Sequence, residues 1–72
     1  MRYQLARPED FGTAIAEFRA VRGVSQVELA NLVGLNRTYL SNLENGETPA
    51  FVERFMALAK ALGLTVTISD DV

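Results

Sequence analysis

The sequence predicts an all-α (mainly α) domain of four to five helices that ends in a short C-terminal β-strand. Three observations predict it. Apolar residues recur at helical spacing over most of the chain. Capping residues and glycines interrupt that spacing where helices should start and stop. From Leu64 to Ser69 the pattern changes to alternation, with Leu64, Val66 and Ile68 set against Thr65, Thr67 and Ser69.

Each element has its own grounds. Residues 2–6 alternate Tyr3 and Leu5 with polar or small neighbours, a possible short strand. Helix 1 is expected over about 8–22, with Pro8 in its first turn and Glu9 and Asp10 at the positive end of its dipole. Phe11, Ile15, Phe18 and Arg22 form its stripe, so its phenylalanines should be buried. Gly23 ends it. Ser25 and Glu28 make a capping box for helix 2, over about 26–33. Asn36 caps helix 3, which should reach about Asn45 before Gly46. The segment GETPA, residues 46–50, reads as a loop. Helix 4, about 51–62, turns Val52, Phe55, Met56, Ala59 and Leu62 inward, and Gly63 closes it. Asp70, Asp71 and Val72 should fray.

Seventy-two residues form one domain, 1–72, whose core is too small for comfort without a disulfide, a metal or a partner chain. The chain lacks Cys and His, which removes disulfides, thiolate metal sites and the usual general base. It also lacks a glycine-rich phosphate loop, so neither an enzyme nor a cofactor is expected. Oligomerisation is the remaining support. No apolar run approaches the roughly 20 residues that span a bilayer, and MRYQLARPED has no apolar signal region, so no membrane role and a cytoplasmic location are expected.

The net charge of −2 is unlike the usual basic footprint of nucleic-acid binders. Its distribution matters more: between Arg19 and Leu43, Arg19, Arg22 and Arg37 stand against Glu28 alone. The other acids lie outside, at Glu9, Asp10, Glu17, Glu44, Glu47, Glu53, Asp70 and Asp71. That pattern suits a locally positive face on an acidic body.

The stretch QVELANLVGLNRTYLSNLEN, residues 26–45, organises the chain. Leu29, Ala30 and Val33 share one face; Leu40 and Leu43 share another, leaving Asn36, Arg37, Thr38, Ser41 and Asn42 outward. Gly34 lies between, where positive φ is needed, and Ala30 is small where two helices cross. This is the pattern of a helix-turn-helix, whose second helix fits the DNA major groove. Gln26, Leu29, Ala30, Val33, Gly34, Leu35, Leu40 and Leu43 resemble the Cro/repressor-type (xenobiotic-response-element) family over about residues 11–64. The resemblance implies a Cro/repressor-like DNA-binding fold. A narrower similarity, in Ala-Leu-Gly-Leu followed by Leu64–Ser69, is to antitoxins of the HipB type. It implies a homodimer whose C-terminal strands pair across the axis through Leu64, Val66 and Ile68, autorepression at a palindromic operator, and a HipA-like kinase toxin as partner. From the residues alone, that strand can pair with Tyr3–Leu5, with a second copy, or with another protein.

Arg37 opens helix 3, where it can fork onto guanine or grip a phosphate. Thr38 can offer a methyl to thymine or a hydroxyl to a phosphate; Ser41 and Asn42 lie one turn on, and Asn42 matches adenine. The family resemblance implies a phosphate contact for Gln26. Tyr39 can support the core and reach the sugar-phosphate backbone, and Asn45 and Thr48 stand in the following loop. Asn36 completes the expected DNA-binding set. Arg19 and Arg22 are more often surface partners, and Glu44 should turn away from phosphates. Three functions remain open: an antitoxin-type repressor of double-stranded DNA, a repressor without a toxin, and a helical protein-binding adaptor without DNA function.

Overall fold

The computed structural model describes residues 1–70. In chain order its elements are β1 (Arg2–Leu5), α1 (Asp10–Val21), α2 (Gln26–Val33), α3 (Arg37–Glu44), α4 (Ala50–Ala61) and β2 (Val66–Ser69). The fold is thus mainly α, with four helices among the described residues. The expected fraying of Asp71 and Val72 lies outside them. Asp70 is held rather than frayed: its carboxylate accepts from the Met1 amine at 2.6 Å and from Arg22 Nη2 at 2.8 Å.

The two ends of the chain form one antiparallel ladder, with Arg2 opposite Ser69, Tyr3 opposite Ile68, Gln4 opposite Thr67 and Leu5 opposite Val66. The Tyr3–Leu5 alternative is therefore the one realised within the protomer. This ladder occupies one edge of β2. Leu5 is buried, and Val66 and Ile68 are half-buried on one side of the ribbon. That alternation is what a strand with a single apolar face requires.

Helix 1 starts later than its composition suggests. Pro8 lies in a turn before α1, accepting the amide of Phe11, and the Asp10 carboxylate reaches back to the amides of Ala6 and Arg7, both at 2.8 Å. These bonds place β1 against the start of α1 and hold the Asp10 carboxyl below its usual range. The phenylalanines of α1 are only half-buried; its buried residues are Gly12 and Ala14. Small residues are needed there because α3 comes in at backbone distance. A Cβ on Gly12 would stand 1.8 Å from the Leu43 carbonyl oxygen.

The core is compact: Ala30, Leu40 and Leu43 are buried together, with Phe11, Ile15 and Leu29 packed against them. Helix 4 departs further from expectation. Met56 and Ala59 are buried and Val52 is half-buried, but Phe55 and Leu62 face solvent. The inward stripe is narrower than the apolar stripe: of α4, Met56 and Ala59 alone are buried. No helix among the described residues is long and apolar enough to cross a membrane.

Candidate nucleic-acid interface

The helix-turn-helix is fixed locally before it is fixed by packing. The Ser25 hydroxyl accepts the Glu28 amide at 3.0 Å, and the Glu28 carboxylate accepts the Ser25 amide at 3.1 Å, closing the capping box at the start of α2. Gly34 ends α2 at φ 73°, ψ 26°, and Leu35 donates back to the Ala30 carbonyl at 2.8 Å. This left-handed cap reverses the chain in a single residue. Asn36 then begins α3 in extended conformation, its Oδ1 accepting the Thr38 amide at 2.7 Å. Asn36 is expected to touch DNA, yet its acceptor oxygen is already engaged in the cap, although the residue is exposed.

Burial divides α3 cleanly. Leu40 and Leu43 are sunk in the core, whereas Arg37, Thr38, Tyr39 and Asn42 are exposed and Ser41 is half-buried. One face of the helix is anchored, and the other carries a cation, hydroxyls and a carboxamide. Tyr39 and Asn42 share a shallow cleft with Thr48 and Pro49, so the loop after α3 lies beside the outward face. Asn45 is exposed at the C-cap of α3 and Thr48 is half-buried, its hydroxyl donating to the Gly46 carbonyl at 3.3 Å.

The end of α3 shows what the residue pattern did not suggest. Glu44 turns inward, its side chain only 6% exposed, and accepts a bidentate pair from Arg19 of α1, Nε at 2.9 Å and Nη2 at 2.8 Å. The same carboxylate accepts Gln26 Nε2 from the first turn of α2 at 2.9 Å, and Arg19 Nη1 donates to the Val24 carbonyl at 2.9 Å. One carboxylate thus ties α3 to both α1 and α2. The Arg19 guanidinium holds the Glu44 carboxyl below the usual carboxylate range, and the Arg19 pKa is raised in return. Twenty-five residues separate the pair, so no local pairing rule could have found it.

These bonds revise the charge pattern. Arg19 is committed to Glu44; Arg22 is committed to Asp70 and lies over the Phe18 ring at 5.7 Å. Of the three arginines in the expected positive face, Arg37 alone keeps its charge unpaired among the described residues. Gln26 keeps one amide hydrogen beyond the one given to Glu44, enough for a single phosphate oxygen. Leu64, Val66 and Ile68, the expected dimer contacts, lie away from this face along the grooves between β2 and α4.

Comparison with known proteins agrees with this geometry. A family profile described as helix-turn-helix matches residues 15–68. Control protein C.SmaI of Serratia marcescens is 35% identical over 52 residues, which are 72% of this chain and 62% of that relative. The chain therefore spans less than two thirds of the relative's length. No solved structure matches. The profile covers the capped pair of helices, the Gly34 turn and the anchored α3, and the chain belongs to the helix-turn-helix family.

Proposed function

We propose that the chain is a sequence-specific, DNA-binding transcriptional repressor that acts as a homodimer on a palindromic operator. The observation that carries this reading is α3 itself. Its apolar side is fastened by Leu40, Leu43 and the Glu44 clasp, and its other side presents Arg37, Thr38, Tyr39 and Asn42. A helix so held can enter the major groove as a rigid body. The similarity to a protein named a control protein supports a regulatory role. With one unpaired cation on the face, each protomer makes few phosphate contacts, and two engaged together restore the affinity. A protomer measuring 36 × 28 × 17 Å suits half-sites one DNA turn, about 34 Å, apart. The same reading makes the protein cytoplasmic and non-catalytic, with no cofactor.

Selection of bound duplexes from a random pool tests it. A two-fold symmetric consensus is the expected result. Equal affinity for the selected and a scrambled duplex at physiological salt would falsify the reading.

A second role as antitoxin can coexist with the first. It is favoured by Glu17 and Glu53, exposed acids outside the helix-turn-helix that suit a basic or kinase-like partner. Co-expression with the product of the adjacent reading frame, followed by size-exclusion chromatography, tests this role. Separate elution of the two proteins reduces the function to repression alone.

A further inference from the structure

The most exposed continuous apolar surface is one side of α4. Phe51, Phe55, Leu58 and Leu62 recur at helical spacing and are 77%, 49%, 65% and 73% exposed. The core takes Met56 and Ala59 instead, and none of the four lines the cleft between β1 and α4 that Glu53 and Lys60 border. Beside them Leu64 is also exposed, and the stripe borders two apolar grooves of about 370 and 380 Å³ between α4 and β2. The first of these has no polar lining and is floored by Phe11, Val66 and Ile68.

We propose that this side of α4 is the homodimer interface, two copies packing α4 against α4 about a two-fold axis. The proposal rests on the dimeric reading above and moves the main contact from strand pairing to the helix. Three observations point to a second copy as the occupant. First, the stripe is its own complement. When two α4 helices run antiparallel about an axis between Phe55 and Leu58, Phe51 faces the partner's Leu62 and Phe55 faces the partner's Leu58. An isologous contact demands this kind of self-matching. Second, the stripe contains no ionisable group; Arg54 stands on its flank among Ala50, Ala57 and Ala61, whose small side chains let two helices approach. Identical surfaces can meet there without like charges facing each other. Third, the area suffices: five such side chains expose on the order of 500–600 Å². Pairing two such faces buries about 1,100 Å² before any polar rim is added, close to the roughly 1,200 Å² at which specific interfaces begin.

The test is oligomeric state without DNA. Light scattering on the whole chain is expected to give twice the 7.9 kDa protomer mass. Leu58→Glu and Leu62→Glu should weaken dimerisation at least roughly 30-fold, the loss expected at the centre of an interface, with helical circular dichroism unchanged. Leu32→Glu, at a residue 82% exposed on α2, is the control and should remain dimeric. A dilution series of the unaltered protein followed by NMR removes dependence on how the variants fold: shifting amides should cluster at Phe51, Phe55, Leu58, Leu62 and Leu64. A monomeric unaltered protein, a Leu58→Glu chain that stays dimeric, or dilution shifts confined to α2 or to β2 would each overturn the proposal. Because no DNA enters the measurement, a protein that dimerises through α4 yet selects no duplex would sink the repressor reading and leave this interface standing.

Discussion

Gly12 in α1 and Leu43 in α3 touch backbone to backbone: a Cβ on Gly12 would lie 1.8 Å from the Leu43 carbonyl oxygen and 2.6 Å from its carbon. The obstacle is main chain, so no rotamer change can relieve it. Helix 3 can therefore reach its place only over a glycine, and Leu40 and Leu43 can then fill the core below it. Gly12→Ala should destabilise the fold by about 3 kcal/mol or more, in the upper range for overpacking. Chemical denaturation measures it; a change under about 1 kcal/mol would mean that α1 and α3 can separate freely.

Glu44 is almost fully enclosed and holds Arg19 and Gln26 together. Glu44→Ala leaves the Arg19 guanidinium with the Val24 carbonyl as its one remaining acceptor among the described residues. The expected cost is about 1–3 kcal/mol, below that of a deeply buried pair because Arg19 keeps some solvent. Arg19→Ala and the double variant complete a cycle, in which the coupling should account for most of either single loss. Additive losses would show that the clasp contributes no coupling.

Acid should loosen both the Glu44 clasp and the Asp70 contacts. Glu44 and Asp70 both have carboxyl pKa values lowered in the fold, that of Asp70 to about 2 from an ordinary 3.8. A lowered carboxyl contributes stability that is present above its unfolded value and lost as pH falls through its folded value. Stability should therefore decline on going from about pH 4.5 towards 2. Asp70→Asn, which removes the titrating negative charge shared by Arg22 and the Met1 amine, should flatten the lowest part of that decline. Melting temperature recorded against pH for both proteins is the measurement, and identical slopes below pH about 3.5 would rule out the Asp70 contribution.

Arg37 and Asn36 are neighbours with different jobs, and substitution should separate them. Arg37→Ala should weaken operator binding by about 1–3 kcal/mol. If the arginine grips a phosphate, the salt slope falls by about one and sequence preference is kept; if it reads guanine, preference relaxes at one base pair. Asn36→Ala should instead cost about 0.5–2 kcal/mol of fold stability through the lost cap. Melting curves and binding isotherms on both variants check this; the reverse assignment of losses would contradict the geometry of the α3 N-terminus.

What could be read from the residues alone was whatever local chemistry dictates. The Ser25–Glu28 box, the Gly34 reversal, the Asn36 cap and the burial of Leu40 and Leu43 follow from hydrogen-bonding groups and periodicity within a few positions of each other. The alternation in Leu64–Ser69 announced a strand for the same reason, and the weak alternation at Tyr3 and Leu5 a possible second one, without saying what either pairs with.

Tertiary structure alone decided the rest. That β2 pairs with β1, that Gly12 rather than a phenylalanine is where α1 meets the α3 backbone, and that Glu44 captures Arg19 and Gln26 all depend on contacts between residues far apart in sequence. It also decided which apolar residues of α4 reach the core. Periodicity marks a side chain as apolar but cannot say whether the surface that covers it belongs to its own chain. Met56 and Ala59 find theirs within the protomer, while Phe51, Leu58 and Leu62 remain in water because no element of the described chain lies over them.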